Sequence, residues 1–464
     1  MNMSKAMELR QQLQSRHLLT FECRCSQLSL DRLEEQGLIK WTPAIEIGSN
    51  GFRCCRCGVS NKRYFAFSPC ENCKKECVYC RSCIMMGKAT ECNALYEWVG
   101  PNCDETFQAT LTWKGELSKG QKRASEKIIE AIKSRSDLLI WAVCGAGKTE
   151  VLFHGIEYAL NIGRRVCIAT PRTDVVLELE PRIRKVFQGL NIAVLYGGSP
   201  ERFQLAPLMI TTTHQLLRYK DAFDVIIIDE VDAFPYSIDE RLQFAVKKAI
   251  RKKGVKIYLS ATPSRNMKRD VSNGQLEAVK IPLRFHQQPL PVPSFKWIGQ
   301  WKKKIKKKQL PSVVTKWIQH HIKEKRRILL FVPSIAMMKE ATIILRGLHL
   351  NVEGVSADDQ DRKLKVKRFR EYAYDVLVTT TILERGVTIQ NVQVGVLGAE
   401  STIFTESALV QIAGRAGRHP QYSKGDVSFF HFGVTRNMKQ AKKHIVQMNQ
   451  TAMSEFSEKK CGIN

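Results

Sequence analysis

No stretch of the 464 residues stays apolar for the roughly 20 positions that a bilayer-spanning helix requires, so no transmembrane segment is expected. The opening stretch MNMSKAMELRQQLQSR carries charge but lacks the apolar core of a secretory signal, which predicts a chain that stays inside the cell. Short-period repeats are absent too, and the one low-complexity tract is KKKIKKK, Lys302 to Lys308. Negative charge is scarce beside its opposite: 45 acidic residues face 73 basic ones, leaving +28. So large an excess points to a polyanionic partner, nucleic acid first and an anionic membrane face second.

What is present fits an intracellular globular chain. Hydrophobic residues make up 44% and charged ones 25%, and the length implies two to four domains. Of 15 cysteines, eight fall between Cys54 and Cys83. Thiols inside a cell stay reduced, so this clustering reads as metal binding and not as disulfides. Cys144 and Cys167 lie in strand-like apolar runs and read as small core residues.

Residues 1–50 are mixed and amphipathic and carry no motif; a Cys-rich module follows over 51–110. From LSKGQKRASEKIIEAIKS onward, apolar β-branched runs alternate with helical segments: LLIWAVC, RVCIAT, LMITTT, DVIIIDE and VKIYLSAT. Runs of this kind are strands buried on both faces of a parallel sheet. The proline-rich RFHQQPLPVPSFKW breaks the alternation, and with the basic tract after it predicts a linker over 284–310. The pattern then restarts with RILLFVPS, VEGVSA, YDVLVTTT, VGVLG and DVSFFHF. The expected fold is therefore α/β, two parallel-sheet lobes in tandem over 111–283 and 311–464, preceded by a small Cys-rich module.

The first of these runs ends in AVCGAGKT, Ala142 to Thr149. A glycine-rich strand-to-helix turn surrounds phosphates with backbone N–H groups, and the helix start adds positive dipole. Ala142, Val143, Cys144, Gly145, Ala146 and Gly147 form that turn, with Ala142 where the signature has its first glycine. Lys148 is placed to reach the β- and γ-phosphates of ATP, and the Thr149 hydroxyl to ligate Mg²⁺. The run DVIIIDEVD delivers Asp229 and Glu230 at a strand's carboxyl end, where open α/β sheets bind ligands. Asp229 is expected to hold Mg²⁺ through water and Glu230 to orient and deprotonate the attacking water.

In the Cys-rich stretch, Cys54-x-x-Cys57 and Cys80-x-x-Cys83 are two knuckles at a spacing that supplies four thiolates to tetrahedral Zn²⁺. The preferred ligands are Cys54, Cys57, Cys80 and Cys83, because Gly58 follows the first pair. The intervening CENC offers a competing knuckle, Cys70 and Cys73, and Cys55 and Cys77 stand either as substitutes or as free thiols.

From about residue 115 onward the chain resembles a superfamily 2 helicase or translocase, which implies RecA-like lobes. LSKGQ resembles the adenine-reading segment and implies Gln121 on the base edge. ATPR, TTTHQ and YGGS resemble the elements that grip a nucleic-acid backbone, DEVD a DEAD-box variant, and LSATP the motif coupling the lobes. TTTILERGVT and QIAGRAGR resemble the fifth and sixth motifs, giving Gln411 and a pair of candidate arginine fingers, Arg415 and Arg418. Three residues apart, these arginines share a face if the segment is helical. Threonine hydroxyls in the TTT runs either contact phosphates or simply end strands, and His214 either packs locally or touches nucleic acid.

With the four-Cys module ahead of the motor, the whole chain resembles the late-competence DNA-uptake ATPases of Gram-positive bacteria, the ComFA family. CRCG and YCRSCIMMGK carry that resemblance and support the ligand set above, whereas CENC lies outside the family pattern. The resemblance implies a cytosolic ATPase, peripheral at the inner membrane face. It also implies single-stranded DNA, an uptake channel and other competence proteins as partners, and it is compatible with an oligomer. Two alternatives compete: a primosomal replication-restart helicase, whose cysteines lie inside the second lobe, and a zinc-dependent DNA-binding adaptor with a decayed motor. The lysine run is read as a contact to the DNA backbone or to anionic lipid, against a merely solvated surface.

Overall fold

A computed structural model of the chain describes residues 3–49, 51–101, 107–201, 204–384 and 389–461. Antiparallel pairing organises the first hundred residues. Helix α1 (Met3–Leu13) leads into β1 (Leu18–Leu19), α2 (Gln27–Glu35) and β2 (Ile39–Pro43). β3 (Ile45–Gly48) and β4 (Gly51–Cys54) form one hairpin, β5 (Phe65–Pro69) and β6 (Glu76–Cys80) another, and β7 (Ala94–Trp98) pairs between β1 and β2. The boundary expected at residue 50 therefore falls inside a hairpin. Residues on both sides of it build one module, because β7 recruits the strands of the first 50 residues.

The first lobe begins at α3 (Lys119–Ser134). Ser118 and Gln121 cap its start reciprocally, each side chain meeting the other's backbone N–H. Then come β8 (Leu138–Ala142), α4 (Lys148–Asn161), β9 (Val166–Thr170), α5 (Thr173–Val186), β10 (Ile192–Leu195), β11 (Leu208–Thr212), β12 (Phe223–Ile228), α6 (Glu240–Ala249), β13 (Ile250–Ser260), α7 (Arg265–Ser272) and β14 (Glu277–Ile281). Their sheet is parallel throughout, in the order β10-β11-β9-β12-β13-β8-β14.

The second lobe contains β15 (Ser294–Trp297), α8 (Trp301–Lys306), α9 (Ser312–Lys323), β16 (Arg327–Phe331), α10 (Ile335–Arg346), β17 (Val352–Val355), α11 (Arg362–Arg370), β18 (Val376–Thr379), β19 (Val392–Leu397), α12 (Glu406–Ala413), β20 (Val427–His431) and α13 (Arg436–Cys461). Its strands are also parallel, in the order β15-β20-β19-β16-β18-β17. Much of the expected linker belongs to this lobe. β15 is an edge strand of the sheet, and α8 buries Trp301 and Ile305 while its four lysines, and Lys307 and Lys308 just after it, stay exposed. Trp301 anchors the helix by donating its indole N–H to Glu400 Oε1 at 2.7 Å.

The N-terminal module and the first lobe share one apolar cluster, in which Leu19, Val78 and Leu95 pack with Phe223, Ile226 and Leu242. A buried ionic group crosses the same boundary. Glu22 accepts from Arg56 at 3.1 and 3.2 Å and from Arg218 Nε at 2.6 Å. Burial pushes the Glu22 carboxyl up, but the two guanidiniums and their hydrogen bonds outweigh it, and the net shift is downward.

Candidate active site and metal centre

Strand β8 ends at Ala142, which is fully buried in the sheet, paired beside Ile281. The position that lacks its signature glycine thus lies in the strand and not in the turn, where a Cβ is tolerated. The turn proper is Val143 to Gly147. Gly145 and Gly147 adopt φ of +83° and +70°, the left-handed conformation that favours glycine, and α4 starts directly at Lys148. A left-handed turn feeding a helix start leaves backbone N–H groups facing outward, which fits the phosphates of a nucleotide.

The amide of Gln121, expected on a base edge, is spent elsewhere. Its oxygen accepts from Ser118 N at 2.8 Å and its nitrogen donates to the carbonyls of Ala146 and Gly147 at 2.9 and 3.2 Å. Gln121 braces the turn from behind, because the residue that caps α3 is also the one buried against the loop.

Strand β12 brings Asp229 and Glu230 to its carboxyl end. Asp229 Oδ1 accepts from Glu230 N at 2.8 Å, and Glu230 itself holds φ +56°, a strained conformation for a side chain of its size. The next acidic residue, Asp232, joins two motifs and both lobes. It accepts from Ser260 and Thr262 of LSATP at 2.6 and 2.7 Å and from Ser407 of α12 at 2.8 Å.

The second lobe meets the turn through α12 and the residues after it. Cys144 donates its thiol proton to Gln411 Oε1 at 2.8 Å, and Gly414 lies so near that a Cβ there would sit 2.5 Å from Cys144 Cβ. The helix ends at Ala413, so Arg415 and Arg418 stand on a turn and not on one helical face; Gly417 at φ +67° reverses the turn that follows. Arg415 is buried and donates to the Glu384 carbonyl at 2.9 and 2.6 Å, while Arg418 Nε reaches back to the Gly414 carbonyl at 3.1 Å. Burial, then the charge of Arg418, lowers the Arg415 pKa well below the usual range, and Glu230 acts in the opposite sense.

One residue escaped the sequence reading. Arg284, fully buried, lies against Gly145 and donates to the Gly417 carbonyl; Phe285 N donates to the Gly145 carbonyl at 3.0 Å. Burial and the charge of Arg418 lower its pKa to about 10. Its place in the proline-rich segment hid it, since nothing local marks an arginine as buried. Three guanidiniums, Arg284, Arg415 and Arg418, thus crowd one side of the phosphate turn, an arrangement that an anion relieves.

The threonines of TTTHQ face inward: Thr211 and Thr213 are fully buried and Thr212 nearly so, as strand ends and not as surface hydroxyls. His214 is partly buried, and burial lowers its pKa. Arg172 of ATPR pairs with Asp174 at 2.7 Å and reaches the Ile382 carbonyl of the second lobe at 3.4 Å. Of TTTILERGVT, residues 385–388 lie outside the described residues.

The four preferred cysteines converge. Cys54 ends β4, Cys80 ends β6, Cys57 and Cys83 follow in tight turns, and all four sulfurs are buried within 4.8 Å of one another. Cys54–Cys83 and Cys57–Cys80 are each 3.7 Å apart. A zinc–sulfur bond of about 2.3 Å gives a tetrahedral edge of about 3.8 Å, so the set fits Zn²⁺. Gly58, φ +76°, closes the first knuckle with its N–H on the Cys54 carbonyl at 2.8 Å, and Phe244 of α6 leaves no room for a Cβ there. Beside the sulfurs, Lys248 donates to the Arg56 carbonyl at 3.0 Å. Burial and Arg56 lower the Lys248 pKa to about 8, against the opposing pull of the thiolates.

Comparison with known proteins agrees with these parts. The Competence protein ComFA N-terminal domain matches residues 2–97, the Type III restriction enzyme res subunit 114–265, and the Helicase conserved C-terminal domain 306–420. The chain is 54% identical to Competence protein ComFA of Bacillus subtilis, over 97% of each chain. It is 36% identical to Competence protein ComFA of Streptococcus pneumoniae, covering 90% of this chain and 95% of that one. Among solved structures, S. cerevisiae Dbp5 bound to RNA and ADP BeF3 shares the fold with TM-score 0.51 at 15% identity, covering 72% of this chain and 91% of that one. RecG bound to three-way DNA junction does so with TM-score 0.50 at 19% identity, covering 74% and 47%. A metal-capable N-terminal module fused to the two helicase lobes, with similarity running through all of it, makes this chain a member of the ComFA family of competence proteins.

Proposed function

We propose that the chain is an ATP-driven motor that moves single-stranded DNA during uptake by competent cells. The observation that carries this reading is the closed cleft: the phosphate turn of one lobe touches Gln411, Gly414 and the arginine-bearing turn of the other. Such a site is complete only when the lobes meet, which couples nucleotide state to lobe position.

In this reading the N–H groups of residues 143–147 and Lys148 hold the phosphates. Thr149 and Asp229 hold Mg²⁺, which supplies charge neutralisation on the phosphoryl oxygens. Glu230 takes the proton of the attacking water, and Arg415 and Arg418 stabilise the charge that develops as the bond breaks. Gln411, held by Cys144, fixes the second lobe against the turn. Zn²⁺ on Cys54, Cys57, Cys80 and Cys83 supplies folding energy to the N-terminal module. The excess of +28 and the exposed lysines of α8 suit a DNA backbone. Among the described residues no helix is long and apolar enough to cross a membrane.

The test is ATP turnover with single-stranded DNA, duplex DNA and RNA, each measured separately, with Lys148→Ala as the inactive control. Stimulation is expected to be greatest with single-stranded DNA. Turnover indifferent to all three nucleic acids would overturn the motor reading.

A further inference from the structure

The competing knuckle in CENC does not stand idle. Cys70, Cys73, Cys77 and Cys92 bring their sulfurs within 4.8 Å of one another, apart from the first cluster. Cys70–Cys92 is 3.2 Å, Cys73–Cys77 is 3.0 Å and Cys77–Cys92 is 3.5 Å. Every one of these cysteines is a free thiol. We propose that they form a second tetrathiolate zinc site, which pins the tip of the β5–β6 hairpin to the segment leading into β7.

Backbone geometry supports this independently of the sulfurs. In the first knuckle, Cys54 N donates to the Val59 carbonyl at 2.9 Å and Gly58 N returns to the Cys54 carbonyl at 2.8 Å, with Gly58 at φ +76°. The second repeats this bond for bond. Cys70 N donates to the Lys75 carbonyl at 2.9 Å, Lys74 N returns to the Cys70 carbonyl at 2.9 Å, and Lys74 stands at φ +57°. A lysine held left-handed costs free energy that an ordinary hairpin turn would avoid by using glycine or asparagine. The loop is shaped to aim two sulfurs at one point.

The other two ligands are brought in by pairing. Cys77 lies on β6, three residues before Cys80, so one strand contributes a sulfur to each cluster. The segment carrying Cys92 is laid along that strand by the Tyr79–Thr90 bridge, by Glu91 N on the Val78 carbonyl at 3.1 Å, and by Val78 N on Glu91 Oε2 at 3.3 Å. Thr90 and Asn93 close its turn at 2.8 Å. Four soft donors at this separation, with no His or carboxylate among them, select Zn²⁺ over harder divalent ions.

The experiment counts metal on the reduced, full-length chain purified with zinc. Two zinc ions per chain are expected, falling to one in Cys70→Ser/Cys92→Ser with an unchanged far-ultraviolet circular dichroism spectrum. Cys92 is exposed, so its alkylation provides a measurement on the unmodified chain: slow as purified, and at least tenfold faster after a chelator. The proposal is overturned by retention of full zinc content in the double variant, or by Cys92 that alkylates at the free-thiol rate without chelator. A wild-type content of one ion that the double variant loses would support this site and count against the Cys54 cluster instead. One ion that persists in the double variant would do the reverse.

Discussion

Ser407, on the second lobe, donates its hydroxyl to Asp232 of the first at 2.8 Å, and the same carboxylate receives Ser260 and Thr262. One acidic side chain therefore senses the end of β13 and the position of α12 together. Ser407→Ala removes a hydrogen bond to a charged group, worth about 1.5–3 kcal/mol, and only in the closed form. DNA-stimulated turnover should fall about tenfold or more while thermal stability stays close to wild type, as read by steady-state kinetics beside a melting curve. Unaltered turnover would remove this contact from the coupling.

Gly414 has ordinary right-handed helical dihedrals, so alanine there meets no backbone strain; its Cβ would meet Cys144 at 2.5 Å instead. Gly414→Ala should hold the lobes apart and cut turnover by at least tenfold in a folded protein. Adding Cys144→Gly removes the opposing atom and should restore much of the loss. A double variant no better than Gly414→Ala would show that closure does not bring these residues together.

Arg418→Ala should lower turnover about a hundredfold or more, with ATP affinity within a few-fold, because a finger acts on the transition state. Arg415→Ala should also lower the melting temperature, since the buried guanidinium holds the Glu384 carbonyl and its removal orphans that group. Parallel thermal melts and nucleotide titrations separate the two; equal stability in both variants would contradict the burial assigned to Arg415.

Glu230→Gln should abolish hydrolysis and leave ATP binding intact, because the base is lost but not the phosphate cradle. Titration with a fluorescent nucleotide, run beside the turnover assay, distinguishes this from misfolding. Residual turnover near the wild-type rate would reassign the base.

Acid should loosen the module from the first lobe. The folded Glu22 pKa lies below its ordinary value, so its stabilisation is complete above the usual carboxylate range and is lost as pH falls through the folded pKa. Glu22→Gln should lower the melting temperature at pH 7 and flatten its decline below about pH 4.5. A variant with an undiminished acid transition would assign that transition to other carboxylates.

The central strands of both sheets were legible because continuous β-branched runs are buried on two faces. The strands of these two sheets that were missed, β10, β14 and β15, are all sheet edges; the fourth edge, β17, was read from VEGVSA. Edges are short, tolerate charge, and in β15 follow directly on prolines, so periodicity fades there. The phosphate turn was readable because its chemistry is local. Arg284, Cys92 and the bracing role of Gln121 were not, because each depends on what another segment brings beside it. The arginine turn misled for a related reason: the three-residue spacing suggests a helix, but the helix stops at Ala413 and Gly417 takes a left-handed φ between the two arginines.

The shared core of the module and the first lobe binds these two parts into one packed unit. Leu19, Val78 and Leu95 are interleaved with Phe223 and Leu242, while the second lobe joins the first through another apolar cluster, with Val143 and Ala146 on one side and Ala413 and Ala416 on the other, and through polar contacts such as Cys144–Gln411 and Ser407–Asp232. Whatever grips the cysteine module therefore grips the first lobe with it.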